Sequence, residues 1–198
     1  MGAYTSSAFS SVTRTVATKD ARIAMIGLGS AGQTTILYKL KLDRLILPSP
    51  TVEFNQETIQ YKGTSFTICD IAGRLPYPTL RPYFQNMDAV ILVVDSADGQ
   101  QFKSVRWLMD WCLAREHLKG RPLLVLANKQ DLLTAVDVSV LAKELGMTSR
   151  RDIDWFVCPC SAITGEGLYN GLDWLNNTFQ RHRQLKSFEK AEKVTTLS

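Results

Sequence analysis

The chain has 198 residues, 45% of them hydrophobic, with 23 Lys and Arg against 19 Asp and Glu. That length suits one domain with short tails, and the apolar share is enough for a proper core. The longest apolar runs are only strand-length, and Cys69, Cys112, Cys158 and Cys160 sit in or beside expected core elements. Neither a membrane-spanning helix, nor a signal peptide, nor a disulfide framework is therefore expected, and a reducing compartment fits.

The net charge of +4 is unevenly spread. Residues 1–19 carry Arg14 and Lys19 with no acid, residues 181–198 carry five basic side chains against Glu189 and Glu192, and the middle is close to neutral. Basic tails favour an anionic membrane face or an acidic partner; solvated chain ends are the simpler alternative. Cys158-Pro159-Cys160 lacks further zinc ligands, and His117 and His182 belong to no metal-binding constellation.

Along the chain, Met1-Gly2-Ala3-Tyr4-Thr5-Ser6 fits the pattern for N-myristoylation at Gly2. Phe9, Val12 and Val16 follow at helical spacing, but the many Ser and Thr residues around them lower helix preference. A strand over Arg22–Ile26 leads into Gly27-Leu28-Gly29-Ser30-Ala31-Gly32-Gln33-Thr34-Thr35 and then a helix through Ile36 and Leu40. Strand, glycine loop and helix in this order suit phosphate binding: backbone N–H groups converge on phosphate oxygens and a hydroxyl, here Thr34, takes Mg²⁺. Gln33 stands where the pattern has lysine.

A breaker-rich loop with Pro48 and Pro50 comes next, then Thr51. Strands over Glu57–Tyr61 and Thr64–Cys69 flank Lys62-Gly63, a two-residue hairpin turn. Asp70-Ile71-Ala72-Gly73 places a carboxylate at a strand end with a glycine three residues on. The continuous apolar run Ala89–Val94 predicts a strand buried on both faces, and Phe102, Val105, Met109 and Cys112 a helical core stripe. Trp107 and Trp111 beside that stripe are expected to pack inward. Leu123–Ala127 predicts another buried strand, ending in Asn128-Lys129-Gln130-Asp131. The Asp131 carboxylate can accept from N1–H and the exocyclic amine of guanine, a donor pair that adenine lacks. A short helix is expected over Val140–Leu145, a strand over Trp155–Val157, and a final helix burying Leu168, Leu172, Leu175 and Phe179.

These motifs, together with Leu37-Tyr38-Lys39-Leu40-Lys41-Leu42, Tyr83-Phe84-Gln85-Asn86, Val93-Val94-Asp95-Ser96 and the run Gly165–Leu175, resemble the ADP-ribosylation-factor (Arf) and Arf-like small GTPases over about residues 20–180. The resemblance implies an α/β fold, a doubly wound, mostly parallel sheet of six strands with helices on both faces. It divides the chain into a membrane-associating segment (1–19), a G domain (20–183) and a mobile tail (184–198). The implied ligands are GTP or GDP with Mg²⁺. Gly27, Gly29, Ser30, Ala31, Gly32, Gln33, Thr34, Thr35, Thr51, Gly73, Asn128, Lys129, Asp131 and Ala162 would bind nucleotide, and Thr34, Thr51 and, through water, Asp70 would hold the metal. In such proteins the hairpin slides in register when the nucleotide changes. Implied partners are a membrane reached through myristoylated Gly2, effectors at the Phe54 and Tyr83 surface, an exchange factor and an activating protein. A monomer on a cytoplasmic membrane face, at the Golgi or another endomembrane, is expected, without nucleic acid.

The departures fall at the phosphate end. Arg74 follows Gly73 where the family has the glutamine that orients water; its guanidinium has donors and no acceptor. Ala72 replaces a glycine, and Cys69 and Leu80 replace tryptophans. Losing the loop ammonium removes up to ~4 kcal/mol of phosphate attraction and Gln33 returns ~1 kcal/mol, a net weakening of roughly 30- to 200-fold. Three readings follow: a nucleotide switch with slow turnover, a pseudo-GTPase that keeps the fold as an interaction module, or a conventional GTP hydrolase with altered catalytic residues and a supplied activator.

Overall fold

The computed structural model describes residues 19–45, 54–71 and 82–195. A six-stranded sheet runs in the order β2-β3-β1-β4-β5-β6, built from β1 (Lys19–Gly27), β2 (Phe54–Tyr61), β3 (Thr64–Ile71), β4 (Ala89–Asp95), β5 (Leu123–Asn128) and β6 (Trp155–Pro159). Every neighbouring pair is parallel except β2 with β3. The helices are α1 (Gln33–Leu42), α2 (Phe102–Leu113), α3 (Val138–Glu144) and α4 (Leu168–Thr195).

Period-two alternation in the strands sorts the core into two layers. Ala24, Ile26, Val90, Leu92, Val125 and their neighbours pack against Val105, Met109 and Cys112 of α2 and Leu141 of α3. Ile23, Met25, Ile91, Val93, Leu124 and Leu126 face Ile36, Leu37 and Leu40 of α1 and Leu168, Leu172, Leu175 and Phe179 of α4. Helices therefore cover both faces, as a parallel sheet requires. Full burial of each such side chain contributes about 1.5–3 kcal/mol.

The hairpin turn falls where the sequence puts it: Lys62 (φ 46°) and Gly63 (φ 76°) are both left-handed, the geometry of a type I′ turn. One feature differs from the sequence reading. Trp111 packs edge-on against Phe84 at 6.1 Å and carries the Arg115 guanidinium 4.5 Å over its ring, whereas Trp107 is 52% exposed. The helical rotation that buries Val105, Leu108 and Met109 turns position 107 outward. The last helix also extends beyond its buried face: α4 runs through 28 residues to Thr195, and the stretch from 184 on has no apolar stripe but carries three Lys and two Glu, good helix formers. Among the described residues no helix is long and apolar enough to cross a membrane.

Candidate nucleotide-binding site

The strand ends carry the expected motifs to one edge of the sheet. β1 delivers the glycine loop, β3 Asp70, β4 Asp95, β5 Asn128, and β6 the 161–167 loop. Ligands in open α/β sheets bind at this carboxyl edge.

In the glycine loop Ser30 (φ 67°) and Gly32 (φ 101°) are left-handed, and α1 starts at Gln33 with no side-chain cap and no acid in its first turn. The first N–H groups of that helix thus point at the place a phosphate would occupy. Gln33 itself is only 7% exposed. Its carboxamide folds back over the loop, so that a Cβ on Gly27 would lie 2.8 Å from Gln33 Nε2 and 2.6 Å from the Val93 carbonyl.

Asn128, 1% exposed, is the brace of the site. Its Nδ2 donates to the Ala31 carbonyl at 2.8 Å and its Oδ1 accepts from the Ala162 N–H at 2.9 Å. One carboxamide thereby joins the glycine loop to the loop after β6. A side chain on Gly32 would fall onto Asn128 Nδ2. Asn128 and Ala162, both expected nucleotide contacts, are thus joined to each other directly. Ser161 tightens the second loop by accepting from Ile163 and Thr164 N–H at 3.2 and 3.1 Å. Lys39 of α1 reaches Gly165, where a Cβ would lie 2.7 Å from Lys39 Cε.

Lys129 is left-handed (φ 68°) and its Nζ meets Asp95 Oδ2 at 2.5 Å. The sequence reading missed Asp95 as a partner. The usable signal is its place at the end of the buried strand next to β5, where Asp95 pairs in register with Asn128. Asp131 is exposed, and its charge helps burial push the Cys160 thiol up in pKa, which places the carboxylate on the rim near the base loop.

At the other side of the glycine loop Thr34 Oγ1 donates to Asp70 Oδ2 at 2.5 Å. Asp70 is 1% exposed. A hydroxyl and a buried carboxylate side by side are hard oxygen donors, which suits Mg²⁺ rather than a softer ion. Among the described residues there is no cluster of three or more His, Cys, Asp or Glu side chains able to hold a metal by itself. Thr51, Gly73 and Arg74 lie outside the described residues, as do Gly2, Ala72 and Leu80. On the flank of the site Phe54, 47% exposed, meets Tyr83 with ring centroids 5.2 Å apart. Cys69, by contrast, is buried and donates to Gln56 Oε1 at 3.3 Å.

Compared with known proteins, the chain matches the ADP-ribosylation factor family over residues 6–179. It belongs to that family. A solved structure of the Arl6 BBS3 small GTPase from Trypanosoma brucei with the bound nucleotide analogue GppNp is similar to it at 30% identity and a TM-score of 0.75, covering 82% of this chain and 99% of that one. The fold and family relationship support a guanine-nucleotide-binding switch. This Arf-family chain has Asn128, Lys129 and Asp131 where the base-recognising residues are expected, and departs from the expected glycine-loop pattern at Gln33.

Proposed function

We propose that the protein is a GTP/GDP switch that recruits partners to a cytoplasmic membrane surface in vesicle trafficking, at the Golgi or another endomembrane, and turns GTP over slowly. The observation that carries this reading is the Asn128 brace. One buried carboxamide holds the glycine loop and the loop after β6 together, which supports a pocket kept in shape for a nucleotide between them.

Gln33 offers a neutral hydrogen bond where an ammonium would attract the phosphates, so ground-state binding weakens and stabilisation of a transferring phosphoryl group weakens with it. Arg74 cannot present an acceptor to an attacking water. Thr34, Asp70 and Thr51 would hold Mg²⁺, which shields phosphate charge when bound. Asp131 selects guanine by accepting two donors at once. Acylation of Gly2 alone gives marginal membrane attachment, and the basic residues of the two tails supply the second contact. Effectors are expected at Phe54 and Tyr83, with exchange and activating proteins as regulators.

The test is the nucleotide content of the purified protein, read by denaturing it and chromatographing what is released. Near-stoichiometric GDP or GTP supports the switch. A protein that is empty, and stays empty when titrated with GDP or GTP and Mg²⁺, overturns it in favour of a pseudo-GTPase interaction module. The observation on that side is the Gln33 carboxamide lying on Gly27.

A further inference from the structure

The last helix outruns the domain that it covers. Phe179 is the last apolar residue of α4 found buried among the described residues, and the family match ends at the same position. From there the helix continues to Thr195, about 24 Å farther. Two large apolar side chains of this overhang stand in water: Leu185 is 54% and Phe188 69% exposed. Arg181, Leu185 and Phe188 are spaced four and three apart, which puts them on one stripe of the helix. Arg181 and His182 both meet Asp154 Oδ2 at 2.7 Å, which pins the root of the overhang to the domain.

A single exposed Leu or Phe is ordinary protein surface. The charge around this pair is less ordinary. Residues 181–198 hold five Lys and Arg against Glu189 and Glu192, while the middle of the chain is close to neutral. A basic helix segment with large apolar side chains turned to solvent suits a surface that is negative outside and apolar beneath, which is the interface of an anionic bilayer.

An acidic protein with an apolar groove would satisfy the same charges; position favours the bilayer. Arg183 Nη2 donates to the Asp20 carbonyl at 3.4 Å, so the overhang starts beside the first residues of β1. Residues 1–18, with the acylation pattern at Gly2, therefore join the domain at the root of the overhang. The glycine loop follows the other end of β1 (Lys19–Gly27), about 26 Å away. A bilayer on the side of the overhang meets both ends of the chain and leaves the nucleotide edge of the sheet open.

We propose that the α4 overhang is a membrane-docking arm: Leu185 and Phe188 enter the interface of an anionic bilayer, and the basic excess of residues 181–198 draws the helix to that surface. This rests on the reading of the protein as membrane-recruited, and it narrows the pull of two basic tails to two named anchors on one helix. One acyl chain gives only marginal attachment, so the arm decides whether the protein stays.

The test uses the full-length chain, acylated and unacylated, on vesicles of neutral phosphatidylcholine and of phosphatidylcholine mixed with phosphatidylserine, read by co-sedimentation. The variant is Leu185→Ser with Phe188→Ser. Leu133→Ser is the control, since Leu133 is 106% exposed beyond the far end of β5. A water-sensitive fluorophore on Phe188→Cys, and on Leu133→Cys for comparison, reports what enters the interface.

The acylated double variant is expected to bind the serine-containing vesicles about tenfold more weakly than the unaltered protein, while Leu133→Ser binds as the unaltered protein does. The unacylated protein should keep a weak attachment to the same vesicles that the double variant loses. The fluorophore at 188 should brighten and shift to the blue on them, and the one at 133 should not. Equal binding by the double variant, equal weakening by Leu133→Ser, or a fluorophore at 188 that stays in water while the protein sediments would overturn the proposal and leave the overhang to a protein partner. If the unaltered acylated protein binds neither kind of vesicle, the membrane reading itself fails and the arm with it.

Discussion

The Gln33 carboxamide lies against Gly27, doubling back over the loop that runs between the two residues. A lysine at the same position is one atom longer and carries a charge, so it would deliver an ammonium to the phosphates along the same path. Gln33→Lys should tighten GDP and GTP binding roughly 30- to 200-fold, as the ~2–3 kcal/mol estimated for the missing charge requires. Dissociation rates of a fluorescent GDP from the two proteins measure this. Equal rates would mean that the position does not face phosphate.

Gly27→Ala tests the same relationship from below. The new methyl would lie 2.6 Å from the Val93 carbonyl, a backbone atom held in the β1–β4 pairing, as well as against Gln33. Overpacking of this kind costs about 1–3 kcal/mol. Thermal unfolding should show a clear drop in Tm, together with loss of nucleotide retention; an unchanged Tm would contradict the geometry.

Asn128→Ala leaves the Ala31 carbonyl and the Ala162 N–H buried without their partner. Each such group costs about 1–3 kcal/mol. Chemical denaturation should report a loss of several kcal/mol even in nucleotide-free protein. A variant that is destabilised only when nucleotide is present would instead make Asn128 a ligand contact rather than a brace.

Asp131 is exposed and bonded into no loop, so its effect should be selective. Asp131→Asn exchanges an acceptor pair for an amide that can donate, which favours xanthine over guanine. A shift in preference of at least about 100-fold, with unchanged Tm, is expected from competition between GDP and XDP. Retained guanine preference would remove Asp131 from base recognition.

Burial pushes the Cys112 thiol up to about 12 and the Cys158 thiol up to about 11. A thiol raised in the folded state keeps its proton there while the unfolded chain loses it, so stability is intact below about pH 8.5 and falls as pH rises beyond it. Each thiol contributes a loss of about 1.4 kcal/mol per pH unit until its folded value is reached. Urea unfolding at pH 8 and pH 10 measures the slope, and Cys112→Ala or Cys158→Ala should flatten it. Alkylation at pH 8 should be slow until the chain unfolds.

The fold was legible because its signals are local. Ala89–Val94 reads as a strand buried on both faces and is one, and Leu168, Leu172, Leu175 and Phe179 recur at the spacing of a buried helix face and are buried. Lys62-Gly63 announces its own turn. What escaped is set by pairs far apart in the chain. Asp95 meets Lys129 across 34 positions, Asn128 meets Ala31 across 97, and Tyr61 meets Asp173 across 112. No periodicity encodes such a meeting; it arises when the sheet order brings strand ends side by side. The orientation of Trp107 escaped for another reason, since spacing cannot tell which flank of a core stripe turns toward solvent.

The hydroxyl of Thr34 has one proton, and it is given to Asp70. What remains on that oxygen is lone-pair density, beside a carboxylate that is shut away from water. Such a pair repels any approaching phosphate oxygen and welcomes a cation. In charge terms the pair is selective: of the two kinds of ion that a nucleotide complex brings to this edge of the sheet, it favours the positive one.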